Sequence, residues 1–133
     1  NKNNTKLISS EVSETMRYVM RQVVKFGSGK KADIDGYEVI GKTGTADKPC
    51  STGGYCGRLT SFVGAFPGWR PEYIILISLD EPQGKKGIRG SSSYWNAAPT
   101  AGEIIRLSAP LLNIAKKNES EKFYQNHARA QIQ

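Results

Sequence analysis

Two stretches of helical periodicity enclose three strand-like stretches in this 133-residue chain. After a serine cap, apolar residues at helical spacing predict a first helix that stops at Gly27. Its apolar face is formed by Val12, Met16, Val19, Met20, Val23 and Val24. A second helix is predicted to begin near residues 96–99, with Pro99 in its first turn. The residues that it is expected to turn toward a core are Ile104, Ile105, Leu107, Leu111 and Leu112.

Between the helices, strands are predicted at Tyr37–Lys42, Leu59–Phe66 and Glu72–Leu79. The turn-forming segment 67–71 joins the last two strands into a hairpin. The third strand is apolar almost throughout, which predicts burial on both faces in the middle of a sheet. The pattern therefore indicates an α+β fold, with three antiparallel strands flanked by helices. Because no further strand is available for the third strand's far side, we expect part of the sheet to lie outside this sequence.

The composition limits the classes of protein. Hydrophobic residues make up 38% and charged residues 23%, as in a soluble globular domain. The longest apolar run, residues 73–77, is far shorter than the ~20 residues that cross a bilayer, so no transmembrane segment is predicted. The net charge of +7 is spread out without a nucleic-acid motif, so nucleic-acid binding is not predicted either. We assign residues 1–115 to one domain and 116–133 to a hydrophilic tail, and expect the chain, which begins with Asn, to be part of a longer protein.

Lys42-Thr43-Gly44-Thr45 is the most informative segment. It follows a short apolar strand pattern and is predicted to open a Gly-rich polar loop. A cation and a hydroxyl therefore occupy extended backbone beside a glycine that lets another molecule approach closely. This combination suits the binding of an anionic, peptide-like ligand against a sheet edge.

The same region contains a literal match to a nucleotide-binding P-loop, since residues 36–43 read G-x-x-x-x-G-K-T. A P-loop requires a buried strand before its first glycine and a helix that begins at its Lys-Thr. Polar residues 30–35 precede the match, and residues 44–49, which contain Gly and Pro, follow it. Nucleotide binding is therefore not predicted.

Two cysteines, Cys50 and Cys56, flank a short polar segment. A disulfide that closes this loop would contribute roughly 2 kcal/mol through loop-closure entropy. Two free thiols are equally compatible with the spacing, because sequence does not fix the Cα separation. A metal site is not predicted, because His127 in the tail is the only histidine and a metal needs more ligands.

These segments together resemble a known family. Lys42-Thr43-Gly44 matches the K-[ST]-G motif of penicillin-recognising enzymes, and Gly27-Ser28-Gly29-Lys30 resembles a G-x-G-K element that precedes it. Residues 8–115 resemble the C-terminal part of the transpeptidase domain of class B penicillin-binding proteins, in particular the septal, cell-division type. The resemblance implies part of the penicillin-recognising serine transpeptidase and β-lactamase-like fold. Its further segments are residues 36–46, 61–67, 80–82 and 97–99.

The resemblance implies a role for each residue of the motif. Lys42 would place its ammonium in the cleft, where it orients substrate and tunes the hydrogen bonds around the catalytic serine. Thr43 would donate its hydroxyl to the terminal carboxylate of a D-Ala-D-Ala stem peptide or to the carboxylate of a β-lactam. Gly44 would keep the strand bare for the acyl group, and the backbone N–H of Thr45 would form half of the oxyanion hole. Lys42 and Thr45 are thus the expected catalytic residues, and all four the expected substrate-binding residues.

The family's serine nucleophile lies in an S-x-x-K motif at a helix start, followed by an S-x-N motif. The only S-x-x-K here, Ser28 to Lys31, lies in a Gly-rich loop, and no S-x-N occurs. We therefore expect a fragment of a D,D-transpeptidase that cross-links septal peptidoglycan through an acyl-serine intermediate, but without the nucleophile and inactive alone. Alternatives are a fragment of a serine β-lactamase or D,D-carboxypeptidase, or a non-catalytic envelope-binding remnant.

The expected partners also follow from the resemblance. They are peptidoglycan stem peptides, β-lactam antibiotics, the remainder of the transpeptidase domain and, for the parent protein, division proteins. No cofactor is expected. The implied location is the periplasmic face of the inner membrane, with the anchor outside this chain. Such an oxidising compartment favours a Cys50–Cys56 disulfide.

Overall fold

The computed structural model describes residues 6–84 and 92–116. Within them, the three strands form one antiparallel sheet in the order β1-β2-β3, and both helices contact it. The predicted α+β architecture is therefore confirmed. Residues 117–133, which include nearly all of the predicted tail, lie outside the described residues. The elements are α1 (Ser10–Phe26), a 3-10 helix (Lys30–Ala32), β1 (Ile40–Pro49), β2 (Tyr55–Phe66), β3 (Tyr73–Asp80), a second 3-10 helix (Ser93–Trp95) and α2 (Ala97–Leu111).

Helix α1 begins where the sequence predicts. The Ser9 hydroxyl accepts a hydrogen bond from the backbone N–H of Val12 at 3.2 Å, and the helix ends just before Gly27. Its predicted apolar face is only partly used, because Val24 is fully buried whereas Val12, Met16 and Val19 are about half exposed. Within the described residues, α1 therefore contributes to the core chiefly through its C-terminal half.

The prediction for β1 was wrong at both ends. The strand begins at Ile40 instead of residue 37 and continues to Pro49, so Lys42-Thr43-Gly44 lies inside a strand and not at its end. Glu38 has a φ of 47°, which interrupts the extended backbone before Ile40. The ladder with β2, from Ile40↔Ala65 to Pro49↔Tyr55, supplies backbone hydrogen bonds that local propensity did not reveal. For the same reason β2 begins at Tyr55, four residues before its predicted start.

Strand β3 was predicted to be buried on both faces, and this too was wrong for the described part of the sheet. Its side chains alternate: Ile75 and Ile77 are half-buried against the core, whereas Ile74 is 80% and Leu76 67% exposed. It lies at one edge of the described sheet, where no described strand pairs with its far side. Within the described residues, the face that carries Ile74 and Leu76 is thus an exposed apolar surface.

Helix α2 uses a different face from the one predicted. Of the large residues expected to face the core, only Ile105 is fully buried, while Ile104, Leu107, Leu111 and Leu112 are exposed. The helix packs closely, since a Cβ added at Gly102 would lie 2.8 Å from the Lys31 carbonyl oxygen. Small side chains permit that approach, so the helix buries its alanines and glycine. The prediction from its leucines was therefore wrong about the buried face. The residues on the buried face are Ala97, Ala98, Ala101, Gly102, Ile105 and Ala109.

The Phe62 ring packs against the backbone of the β1–β2 pair at two glycines. Gly41 and Gly64 face each other in the ladder, and Phe62 is fully buried against both. A Cβ at Gly41 would lie 2.6 Å from Phe62 Cζ and 2.6 Å from the Val63 carbonyl oxygen, and one at Gly64 would lie 2.7 Å from Phe62 Cε1. The two glycines are required because the aromatic ring occupies the space of their side chains.

Candidate functional site

Lys42, Thr43, Gly44 and Thr45 occupy the middle of β1, opposite Val63, Phe62, Ser61 and Thr60 of β2. We call residues 41–45 the root of the β1–β2 hairpin and residues 47–58 its tip. Within the described residues, β1 has a strand neighbour on one side only. Backbone groups of alternate residues therefore point away from β2 along a free edge.

The two threonines point toward the face that the helices cover. Thr43 is paired with the buried Phe62, and paired residues share a face. Its Oγ1 lies 2.6 Å from Ser28 Oγ, in the loop that follows α1. Thr45 Oγ1 accepts a hydrogen bond from the backbone N–H of Ser93 at 3.4 Å, just before α2. Each hydroxyl of the motif is therefore held by a group from another element.

Lys42 and Gly44 lie on the opposite face of the strand. The Lys42 side chain is exposed, and its Nζ donates to the carbonyl oxygen of Thr43 at 2.8 Å. Across residues 6–84 and 92–116, no salt bridge involves Lys42. A Cβ added at Gly44 would lie 2.5 Å from Ser61 Oγ. The root thus combines an ammonium without a carboxylate partner, two hydroxyls and a free backbone edge, a set that can bind an anionic peptide.

A partly buried ion pair fixes the chain just before the root. Arg21 donates to both carboxylate oxygens of Asp33, at 2.7 and 3.1 Å, and to the Val39 carbonyl oxygen at 3.0 Å. Glu38 is buried beside this pair, and one of its carboxylate oxygens, Oε2, has no hydrogen-bond partner. Burial raises the pKa of the Glu38 carboxyl above its ordinary value of 4.5, while the charge of Arg21 opposes that rise.

The structure does not join Ser28 and Lys31 as a nucleophile and its base. Ser28 contacts Thr43, whereas the Lys31 ammonium lies over the Trp95 ring, 3.8 Å from its centroid, and 4.9 Å from that of Tyr94. Ser28 and Ser93 are neighbours of the motif that our sequence reasoning missed. The only available signal for Ser28 was its place in the G-x-G-K element. The structure also excludes a P-loop at residues 36–43, because Lys42 and Thr43 lie in a strand and not at a helix start.

The hairpin tip is held by exposed contacts. Cys50 and Cys56 form a disulfide with a Cα separation of 5.5 Å. Arg58 Nε donates to Asp47 at 2.9 Å, and Lys48 Nζ donates to Asp80 and Glu81 at 2.6 and 2.9 Å. Two hydrogen bonds with these carboxylates raise the pKa of Lys48. The ammonium of Lys48 is therefore paired with acids of the same chain, whereas Lys42 has no such pair in the part of the chain that the structure describes.

The described residues contain neither a candidate metal site nor a candidate membrane span. In that part of the chain, no three His, Cys, Asp or Glu side chains are grouped as a metal site would require. No described helix is long and apolar enough to cross a membrane. His127 falls outside the described residues.

The family model named "Penicillin binding protein transpeptidase domain" matches residues 1–106, most of the chain. The chain belongs to the penicillin-binding protein transpeptidase family. It is 38% identical over 122 residues to stage V sporulation protein D of Bacillus subtilis, a match over 90% of this chain and 18% of that protein. It is also 38% identical over 125 residues to the probable peptidoglycan D,D-transpeptidase FtsI of Caulobacter vibrioides, over 86% of this chain and 21% of that protein.

Solved structures of the penicillin-binding protein family share the fold. Penicillin-binding protein 3 of Mycobacterium tuberculosis, complexed with ampicillin, is 29% identical with a TM-score of 0.71, over 84% of this chain and 26% of that one. The transpeptidase domain of penicillin-binding protein 3 from Burkholderia pseudomallei is 28% identical with a TM-score of 0.73, over 85% of this chain and 34% of that one. The described sheet and helices are thus part of the penicillin-recognising fold. The chain spans about a fifth of the length of the curated relatives it matches.

Proposed function

We propose that this chain forms the K-T-G wall of a peptidoglycan D,D-transpeptidase that acts in septal cell-wall synthesis and is acylated by penicillins. The observation that carries the proposal is the hairpin root, where Lys42 and the Thr43 hydroxyl flank a strand edge that no described strand covers. The relatives support it, since one is named as a probable peptidoglycan D,D-transpeptidase and another, penicillin-binding protein 3, was solved in complex with ampicillin.

The proposed substrate is the D-Ala-D-Ala end of a stem peptide, bound along β1 as an added strand. Its terminal carboxylate accepts a hydrogen bond from Thr43 and lies within the field of the Lys42 ammonium. Gly44 leaves room for the acyl group, and the backbone N–H of Thr45 faces the carbonyl that reacts. Removal of one such oxyanion donor typically costs ~3–4 kcal/mol of barrier height.

The proposed reaction is acyl transfer through a serine that these 133 residues do not supply. The serine oxygen bonds to the penultimate D-Ala carbonyl carbon, the peptide bond breaks, and the terminal D-Ala leaves with the proton as a free amine. The amine of a neighbouring stem peptide then takes the acyl group and restores the serine. The remainder of the transpeptidase domain is proposed to cover the exposed apolar face at Ile74 and Leu76.

The same proposal includes the location of the parent protein, at the periplasmic face of the inner membrane, and its partners, which are division proteins.

The test is acylation of the full-length protein by a fluorescent penicillin. We expect stoichiometric labelling at a serine outside residues 1–133, and slow release of the label. Thr43→Val should lower the second-order acylation rate about tenfold or more, because it removes a charge-assisted hydrogen bond to the penicillin carboxylate. Thr52→Val is the matched control, since Thr52 is exposed in the hairpin tip.

Equal rates for Thr43→Val and Thr52→Val would contradict the proposed role of the root. Label mapped to a serine within this chain would contradict the proposed division of the active site. Rapid release of hydrolysed penicillin would contradict a transpeptidase and favour the alternative of a serine β-lactamase.

A further inference from the structure

Ser28 is the nearest hydroxyl to the Thr43 side chain among the contacts of the hairpin root, at 2.6 Å between the two oxygens. It lies fifteen positions earlier in sequence, in the loop between α1 and the first 3-10 helix. The proposed substrate contacts do not use it, and its S-x-x-K match does not pair it with Lys31. Its short contact with the threonine of the motif therefore needs another explanation.

The backbone places Ser28 there independently of any ligand. The N–H groups of Gly27 and Gly29 both donate to the Val23 carbonyl oxygen, at 3.0 and 3.1 Å. Gly29 is buried against α1, where an added Cβ would lie 3.1 Å from Val24 Cγ2. A rigid turn between two glycines thus presents the Ser28 side chain to β1.

The direction of the hydrogen bond follows from the chemistry of the ligand. Each hydroxyl has one proton to donate and two lone pairs that accept. A carboxylate only accepts, so Thr43 must give its proton to a bound carboxylate. Thr43 Oγ1 then has only acceptor capacity left for its neighbour, and Ser28 must be the donor. A hydroxyl that accepts a hydrogen bond becomes a stronger donor, because successive hydrogen bonds polarise one another.

The neighbouring threonine shows the same arrangement without ambiguity. Thr45 Oγ1 faces the backbone N–H of Ser93, which can only donate. That contact leaves the proton of Thr45 free to point elsewhere. Both hydroxyls of the root are therefore placed beside a donor from a loop next to a helix.

We propose that Ser28 is a positioning residue of the carboxylate subsite: it donates to Thr43 Oγ1, and so directs and polarises the Thr43 O–H toward the carboxylate of the stem peptide or penicillin. This inference rests on the proposed function. It predicts that Ser28 affects only ligands that carry the carboxylate, and only while Thr43 keeps its hydroxyl.

The experiment compares acylation of the full-length protein by a penicillin and by the methyl ester of the same penicillin, in which the carboxylate is masked. Ser28→Ala should slow acylation by the free acid roughly fivefold, the worth of one intramolecular hydrogen bond, and leave the ester rate unchanged. Ser28→Thr keeps a hydroxyl and should restore the selectivity for the acid. The ratio of the two rates is taken within one preparation, so a partial loss of folded protein cancels.

Two controls separate positioning from a structural role. In a Thr43→Val background, Ser28→Ala should cause no further loss, because the group on which it acts is gone. Ser51→Ala, in the exposed turn at the hairpin tip, should match the wild type with both compounds. An equal loss for acid and ester, no loss for either, or an additive loss in the Thr43→Val background would overturn the inference. A wild-type protein that penicillin does not acylate would instead overturn the proposed function on which the inference depends.

Discussion

The root and the tip of the β1–β2 hairpin differ in the surroundings of their charged residues. Each carries a lysine on β1, and the two lysines, Lys42 and Lys48, project from the same face of the strand. At the root, buried Phe62 and both helix-associated loops fix the strand, and Lys42 has no carboxylate partner among the described residues. At the tip, Lys48 is neutralised by Asp80 and Glu81, and a disulfide closes the turn.

The difference lies in the ion pairs: the ammonium of Lys48 is paired with acids of the same chain, whereas that of Lys42 has no such pair among the described residues, as the proposed binding of a carboxylate requires. The tip's ion pairs are exposed, and such pairs contribute little, typically ~0–1 kcal/mol each. The root's contacts instead position side chains against a rigid core, which is what binding of a specific anion requires. Matched substitutions at the two ends can test this contrast.

The largest expected effect separates the two lysines. Lys42→Met should lower the rate of acylation by penicillin about a hundredfold, because under the proposed function it removes the ammonium that attracts the penicillin carboxylate. Lys48→Met should change that rate by no more than about twofold, because its ammonium is engaged with exposed acids. Gel-based labelling kinetics on the full-length protein measure both rates. Similar losses for the two variants would remove the distinction between root and tip.

The next effect concerns stability and separates two glycines. Gly41→Ala should destabilise the sheet by about 1–3 kcal/mol, because its Cβ meets the Phe62 ring and the Val63 carbonyl oxygen. Gly57→Ala meets the carboxylate of exposed Glu81, which can move aside, and should cost less than about 0.5 kcal/mol. Hydrogen exchange of β2 peptides, measured by mass spectrometry in the full-length protein, gives the free energy of opening. An equal decrease in the free energy of opening for both variants would show that packing against Phe62 does not require glycine at position 41.

The smallest expected effect is a pH dependence. A buried carboxyl with a raised pKa binds its proton more tightly in the folded protein than in the unfolded chain. The contribution of Glu38 to the free energy of unfolding is therefore fully present below pH 4.5, the ordinary pKa of the carboxyl. It is lost as the pH rises through the folded-state pKa. Glu38→Gln should flatten this decline above pH 4.5. Glu81→Gln is the control, because Glu81 is exposed and has the same φ of 47° as Glu38.

The urea midpoint of β2 exchange at each pH tests this expectation. The midpoint of the wild type should fall more steeply with rising pH than that of Glu38→Gln. Equal slopes would show that burial does not destabilise the Glu38 carboxylate.

The helices and the hairpin between β2 and β3 could be predicted because their signals are local. A serine cap and a terminal glycine mark the ends of α1, and turn residues 67–71 separate two apolar runs. The core faces could not be predicted in the same way. In α2 the leucines are exposed and the alanines are buried, because Gly102 packs against the backbone of Lys31 and large side chains do not fit there.

The motif residues were found from the sequence, but their surroundings were not. Lys42 and Thr43 stand out through their type and spacing, whereas Ser28 and Ser93 reach the motif only through folding. Even the strand that carries the motif was misplaced, since Gly, Lys and Pro disfavour strands locally. Its ladder with β2 overrides that preference along the whole of Ile40–Pro49.

By itself, the sequence determined the family, the helices and the identity of the four motif residues, since these depend on residue type and short-range spacing. Only the tertiary structure decided that the motif lies within a strand, that Ser28 contacts Thr43, and that Lys42 and Lys48 have different partners. The physical reason is that backbone ladders, close packing and charge pairing join residues far apart in the chain, and no local pattern records which of them meet.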